Sequence, residues 1–439
     1  MNNLSKFDFS RISDACVKCG KCKPNCTIFG ISGDEAQSPR GFLDLIGAYK
    51  RGELALDKNA KRIFESCFLC TNCVDVCPSS LAVDEMIENV RFDLAQKYGI
   101  TWYKRAFFYL LRHRKIMDFA AKLGYVFQSC GFKMQSATPS LDDDKNASNC
   151  QNPNMKPRFK IPMLKMERLL PSVAKKSFMN SHGEFIDNGG SRSVGIFIGC
   201  MGNYAYTGIG EGLLKILKEL KINAHLMKEQ ACCGAPAYFT GDFATVSHNA
   251  KKNIEYFEKI LQSCEAIIIA EGTCSAMIKV DYPRFFENDD TWHKRAKNAV
   301  SKVYLASEYF VKFTNLTEIL KTKQNNKNKL SVTYHDPCHA RKMQGVWREP
   351  RALLSAVFNV IETGDNVSCC GFGGVTMQSQ NYELSRKVGL KRANILIATN
   401  AHIVSSECSA CKMQLNNSLS VAGSSLRTQN WVELVASVL

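Results

Sequence analysis

The chain has no run of about 18 uncharged apolar residues, so no segment is expected to cross a membrane as a helix. Its opening residues, MNNLSKFDFSRISDAC, hold no apolar stretch of signal-peptide length. That argues against secretion, and so against an oxidising compartment in which disulfides persist. There is no Walker A phosphate loop and no GxGxxG turn after a strand; Gly371-Phe-Gly-Gly374 is glycine-rich but lacks that frame. An organic redox cofactor is therefore expected on another chain. Acidic residues are also short, 41 against 57 Lys+Arg, for a formal charge of +16. No nucleic-acid motif accompanies this charge. It leaves a solvated basic surface, an acidic partner or anionic lipid headgroups. These absences point to the cytoplasm, with peripheral attachment to the cytoplasmic face of the inner membrane as an option.

Cysteine is what the chain has in excess: 20 in 439 residues. Cys16, Cys19, Cys22 and Cys26 form a C-x2-C-x2-C-x3-C run, and Cys67, Cys70, Cys73 and Cys77, followed by Pro78, form a second. This is the thiolate spacing of cubane [4Fe-4S] clusters, in which the fourth cysteine of each run reaches the other cluster. The expected sets are Cys16, Cys19, Cys22 and Cys77 on one cubane, and Cys67, Cys70, Cys73 and Cys26 on the other. Zinc sites favour pairs of C-x2-C units and do not match this spacing. Ligating cysteines are thiolates, so a loaded protein is less positive than the formal count.

Between the runs, PRGFLDLIGAYKRGELALDKNAKRIFESC reads as helix, with apolar positions at Phe42, Leu43, Ile46 and Leu54. After Cys77, LAVDEMIENVRFDLAQKYG repeats Leu81, Met86, Ile87, Val90 and Leu94 at helical spacing. Residues 10–100 are thus expected to form an α-helical two-cluster ferredoxin domain. Residues 101–192 are expected to be a helical and loop linker. Its first part, residues 101–127, is aromatic and is interrupted by Arg105, Arg112, Arg114 and Lys115. It reads as a core helix with basic ends, or as a docking segment for a partner or a membrane surface. Residues 133–193 read as loops, with Cys130 and Cys150 as incidental thiols.

From Ser193 short β-branched strands alternate with helices, the pattern of α/β units with parallel sheets. VGIFIG, INAHLM and AIIIA read as strands, GLLKILKEL and ATVSHNAKKNIEYFEKIL as helices. After the break KTKQNNKNK the alternation resumes with LSVTYHD, ALLSAVFNVIE and AHIVSS. The expected domains are 193–320 and 330–439, and they are copies. Cys200, Cys232-Cys233-Gly234 and Cys274-Ser-Ala-Met277 answer to Cys338, Cys369-Cys370-Gly371 and Cys408-Ser-Ala-Cys411. Each cysteine follows a predicted strand, where ligands collect in α/β sheets. Cys264 precedes its strand and lies at the wrong end. The second copy has five thiols, one more than a cubane needs, which suggests a spare thiol or a bridging thiolate in a more open cluster. The first has Met277 in place of a thiolate. A thioether is a weak ligand, so this site is expected to be degenerate: a different cluster, a weak one or a relict.

The C…CCG…C-x-x-C pattern resembles the cysteine-rich CCG domain, found as a tandem pair in heterodisulfide reductase with non-cubane [4Fe-4S] clusters. A helical two-cluster ferredoxin fused to two CCG domains is similar to the iron-sulfur subunits of glycolate oxidase. It is equally similar to the iron-sulfur subunit of anaerobic glycerol-3-phosphate dehydrogenase. The resemblance covers residues 10–100 and 193–439; Met277, and Thr27 where a proline usually follows Cys26, depart from it. It implies an electron-transfer subunit of an oxidoreductase complex. Electrons would come from an FAD-containing dehydrogenase subunit that oxidises a 2-hydroxy acid, and would leave to a quinone or another acceptor. It implies two cubanes and a non-cubane cluster on Cys338, Cys369, Cys370, Cys408 and Cys411. A thiol–disulfide enzyme of the heterodisulfide reductase kind is the alternative activity. Around Cys338, His335-Asp-Pro-Cys338-His339 is polar. His339 is a candidate proton or quinone relay, or a group that orients the loop. Arg341 is either a counter-charge to the cluster or a plain surface arginine.

Overall fold

The computed structural model describes residues 12–135, 153–160, 164–323, 330–365 and 367–439. The start of the opening segment, Cys150 and most of the Lys/Asn-rich break lie outside the described residues.

Two short helical turns, Phe29–Ser32 and Glu35–Gln37, and then two longer helices with a connector separate the first cysteine run from the second. Helix α1 (Pro39–Lys50) starts with Pro39 at its first position, and the Ser38 hydroxyl accepts from Gly41 N at 3.0 Å. Helix α2 (Lys58–Glu65) is capped by Asp57, which accepts from Ala60 N at 2.7 Å. The single helix expected here is therefore broken. Arg51–Gly52 ends α1, and Gly52 sits at φ 76, a left-handed conformation that suits glycine. The break also moves the buried leucine: Leu56, not Leu54, enters the core. Helix α3 (Val83–Tyr98) lays Met86, Ile87, Val90 and Leu94 against Phe42, Ile46 and Phe64. No strand occurs in the described residues before Phe132.

Helices α4 (Trp102–Arg112) and α5 (Arg114–Gly131) follow, broken at His113. The stretch expected as loops contains an antiparallel sheet: β1 (Phe132–Gln135), β2 (Asn154–Pro157) and β3 (Leu170–Pro171). Its strands are too short and too polar to carry an alternating pattern.

The first repeat is a five-stranded sheet in the order β4-β6-β5-β7-β8. These are β4 (Phe185–Ile186), β5 (Ser193–Phe197), β6 (Asn223–Leu226), β7 (Ala266–Ile269) and β8 (Val303–Leu305). Only the edge strand β4 is antiparallel. The second repeat is a parallel sheet ordered β10-β9-β11-β12, made of β9 (Ser331–Tyr334), β10 (Asn359–Ile361), β11 (Ile403–Ser405) and β12 (Thr428–Gln429). ALLSAVFNVIE divides between the end of helix Arg348–Ser355 and strand β10.

One apolar core runs through both repeats, joining Val194, Ile196 and Leu213 to Val332, Leu353 and Trp431. The last helix, Trp431–Val438, seats Val432 against Gly212, where an added Cβ would lie 2.9 Å from Val432 Cγ1. The N-terminal module closes onto this body just as tightly. Gly241 approaches the backbone of α3 so closely that a Cβ would lie 2.4 Å from Arg91 O. Arg91 is buried and donates to Phe64 O (3.0 Å), Cys67 O (2.6 Å) and Phe239 O (2.9 Å), which ties α3, the second cysteine run and the first repeat together.

Candidate metal centres

The two N-terminal cysteine loops share a backbone device. Lys18 and Leu69, each two residues after the first cysteine of its run, have φ of 55° and 52°. Gly20 and Thr71, four residues after it, have φ of 78° and 57°. Left-handed non-glycine residues cost roughly 1–3 kcal/mol each and persist only where the surroundings enforce them. Here they curl each loop around its own sulfurs; Leu69 N donates to Cys67 Sγ at 3.4 Å. One cavity is lined by Cys16, Cys19, Cys22, Cys73 and Cys77, and a second by Cys26, Cys67, Cys70 and Cys73. Burial pushes the Cys26 thiol up to about 11 and the Cys67 thiol up to about 12. Without a cation these thiols stay protonated. Four or five thiols around each cavity, with Cys73 on both, suit metal centres that take them as thiolates and release their protons.

In the second repeat, Cys338 opens the helix Cys338–Gln344 beyond β9. Cys408 follows β11, and Cys411 lies in the first turn of helix Ser409–Val421. Cys369 and Cys370 come in on the loop before helix Gly374–Gln380. Hydrogen bonds link the five sulfurs in the order Cys338, Cys369, Cys370, Cys411, Cys408. All but Cys338 are buried. Gly371 must be glycine: its φ is 87°, and a Cβ would lie 2.7 Å from Gly389 N. The sequence singled out the His335–His339 stretch, but not what His335 does. A ring nitrogen of His335 and the sulfurs of Cys370 and Cys411 lie within 4.8 Å of one another. Arg392 Nε donates to His335 Nδ1 at 3.0 Å, while the buried Nε2 meets no nitrogen or oxygen, and the ring pairs with the Cys370 sulfur. Five converging sulfurs with a buried imidazole against Cys370 fit an iron-sulfur group.

In the first repeat, hydrogen bonds link Cys200, Cys232, Cys233 and Cys274 in that order. Met277 is fully buried among Phe197, Ile278 and Tyr282. It begins a wide π-helical turn, Met277–Asp281, where the second repeat runs on as regular α-helix. Cys264 is buried before β7 and is not linked to this sulfur series. A cavity between α4 and α5 reaches Cys200 and Cys232 past Leu111, Arg112, Arg114 and Met117.

The sulfur sets are joined across the modules. The Cys70 thiol is hydrogen-bonded to Cys369. Asn72 Nδ2 donates to Asn25 O at 2.9 Å and to Val367 O at 3.0 Å. His339 Nε2 meets Leu69 O at 3.1 Å, and its Nδ1 meets Thr273 Oγ1 at 3.2 Å. That hydroxyl, on the residue just before Cys274, also lies 3.3 Å from Cys408 Sγ. Since Leu69 O only accepts, His339 carries its proton on Nε2. Phe239 stacks on the ring at 5.5 Å, and burial lowers the His339 pKa to about 4, so the imidazole stays neutral. It is placed to orient three segments. Arg341 pairs with Asp336 at 3.4 Å and lies over the Trp347 ring at 4.4 Å.

Helices α4 and α5 present Trp102, Phe119, Val126 and Phe127 to solvent, at 75, 65, 62 and 59% exposure. Arg114, one of the basic residues noted here, is not a free surface charge. It pairs with Asp118 at 3.5 Å and lies over Tyr204 at 5.3 Å. Among the described residues, no helix is long and apolar enough to cross a membrane.

A family model described as a 4Fe-4S dicluster domain matches residues 12–81, and one described as a cysteine-rich domain matches residues 194–279 and 332–416. The chain is 29% identical to a probable glycolate oxidase iron-sulfur subunit of Bacillus subtilis, over 91% of this chain and 87% of that protein. It is 27% identical to a lactate utilization protein of Oceanobacillus iheyensis, over 55% of this chain and 96% of that one. It is also 30% identical to a subunit of the CoM/CoB fumarate reductase of Methanothermobacter marburgensis, over 59% of this chain and 48% of that one. The chain thus combines a dicluster ferredoxin module with two cysteine-rich repeats, and it resembles iron-sulfur subunits of oxidoreductases.

Proposed function

We propose that this chain is the iron-sulfur electron-transfer subunit of a flavin-dependent 2-hydroxy-acid oxidoreductase of the glycolate or lactate type. The observation that carries this reading is the continuity of the sulfur sets. Cys19 is exposed, Cys70 and Cys369 are neighbouring sulfurs, and Cys408 lies against the Thr273 loop of the first repeat. Bound iron-sulfur clusters would supply one-electron transfer between a partner's flavin and a quinone or other acceptor. We assign Cys16, Cys19, Cys22 and Cys77 to one cubane, and Cys67, Cys70, Cys73 and Cys26 to the other. Cys338, Cys369, Cys370, Cys408 and Cys411 are assigned to a non-cubane cluster, and Cys200, Cys232, Cys233 and Cys274 to an incomplete twin. The partner is an FAD-containing dehydrogenase subunit, and the exposed face of α4 and α5 is its docking surface or a contact with the membrane surface. The resemblance to the iron-sulfur subunit of anaerobic glycerol-3-phosphate dehydrogenase keeps that substrate open. A disulfide substrate is disfavoured, because four of the five thiols of the second repeat are buried.

The test is anaerobic co-purification of the chain with its partner, followed by adding glycolate, lactate or glycerol 3-phosphate. The expected result is bound FAD and reduction of the iron-sulfur spectrum by one of the 2-hydroxy acids. A flavin-free preparation, or one reduced by neither glycolate nor lactate, would overturn the reading, and reduction by glycerol 3-phosphate alone would favour the glycerol-3-phosphate dehydrogenase resemblance instead.

A further inference from the structure

The second repeat contains a buried pair that the electron-transfer reading does not use, Arg392 and His335. Both are 1% exposed. Arg392 Nη1 donates to Asp365 O at 2.7 Å, and its Nε donates to His335 Nδ1 at 3.0 Å. A guanidinium is always protonated and only donates. Nδ1 of His335 must therefore accept, and a neutral imidazole then carries its proton on Nε2. That Nε2 is buried and meets no nitrogen or oxygen partner; the ring's neighbours on this side are the sulfurs of Cys370, with which it pairs, and Cys411. A buried N–H without an acceptor is costly, and a thiolate in its path removes that cost.

The same geometry argues against His335 as a metal ligand. A histidine that binds metal through one nitrogen almost always donates the other N–H to an acceptor. Here the other nitrogen faces a donor. Ligation through Nε2 would demand an imidazolate.

We propose that His335 is a positioning residue that donates Nε2–H to the Cys370 thiolate, and that Arg392 fixes the tautomer that makes this possible. Reduction adds negative charge to a cluster and its sulfurs. A donor aimed at one of those sulfurs stabilises the reduced form and raises the midpoint potential. His335 thus sets how readily the second-repeat centre accepts an electron. The inference rests on the second repeat holding an iron-sulfur cluster.

The test uses the full chain, loaded anaerobically, with histidine labelled with 15N. Redox titration followed by electron paramagnetic resonance compares the wild type with His335→Leu and His335→Gln; the glutamine keeps an amide donor. Leucine should shift the second-repeat midpoint to a more negative value at unchanged iron content, and glutamine should restore most of the shift. In the wild type, pulsed resonance should show a weak histidine nitrogen coupling and an exchangeable deuteron coupling. This wild-type measurement stands even if a variant fails to fold. A nitrogen coupling of the size of direct ligation, or an equal midpoint in a folded His335→Leu protein, would overturn the proposal. Wild-type protein carrying only the two N-terminal clusters would overturn both the proposal and the cluster assignment it rests on.

Discussion

Cys70 of the dicluster module and Cys369 of the second cysteine-rich repeat meet thiol to thiol, nearly three hundred positions apart in the chain. Around them His339, Asn72 and Thr273 close the junction with hydrogen bonds to backbone and hydroxyl groups. His339→Ala should leave Leu69 O and Thr273 Oγ1 without this partner inside the junction. At about 1–3 kcal/mol per buried unsatisfied group, the loss is measurable by chemical denaturation of the anaerobic protein. A denaturation midpoint equal to wild type would show that the junction does not depend on this residue.

Cys19 is exposed, and its loop makes a sulfur cavity with Cys73 and Cys77 that no residue of either repeat lines. Cys19→Ser is expected to remove one cubane signal and stop electron entry from the partner. The repeats should keep their fold and the second-repeat iron. Resonance spectra and iron analysis check this, and loss of all iron would contradict the independence of the sites.

Cys411→Met copies the first repeat onto the second. It breaks the link between the Cys370 and Cys408 sulfurs. Iron content and acceptor reduction should fall, while the N-terminal clusters remain reducible by the partner. Met277→Cys restores a thiol beside Cys274 and should raise iron content. Unchanged iron in both variants would argue that neither position ligates.

Lys104 gives a pH signature. Its ammonium donates to Thr376 Oγ1 at 2.8 Å and Gln380 Oε1 at 3.3 Å, and burial lowers its pKa to about 8. Between that value and the unfolded value of about 10.4, the unfolded chain holds a proton that the folded chain lacks. Stability should therefore rise with pH across that window, by up to roughly 3 kcal/mol. Lys104→Met should flatten the rise. Denaturation of both proteins at several pH values, read as the difference between them, isolates the effect.

The apolar face of α5 should govern association. Charge reversal at Arg114 would disturb its packing on Tyr204 and Asp118, so it is a poor probe. Phe119→Glu and Val126→Glu instead change only exposed positions. Together they should weaken co-purification with the flavoprotein or membrane fractionation, with the iron spectrum unchanged. Retention of both associations would remove α5 from the interface.

The modules and thiol sets were legible because cluster chemistry imposes local spacing, and because the repeat doubles the signal: Cys200, Cys232 and Cys274 stand at steady offsets from Cys338, Cys369 and Cys408. Helix α3 was legible because one face buries Met86, Ile87, Val90 and Leu94 at helical period. What could not be read was set by contacts distant in sequence. Arg392 lies mid-helix with no local mark, and only the fold brings it to His335. Leu56 replaces Leu54 because Gly52 turns the chain. The α4–α5 break at His113 and the short β1–β3 sheet have no periodic pattern to announce them.

The approach of Gly241 to the Arg91 backbone has a kinetic meaning. With no room for even a methyl group between them, the dicluster module has no hinge at this contact and no solvent layer to shear. Passage of an electron from the Cys70 side to the Cys369 side then needs no swing of one module toward the other. Its rate should follow distance and driving force alone, and thickening the solvent with glycerol should leave it unchanged.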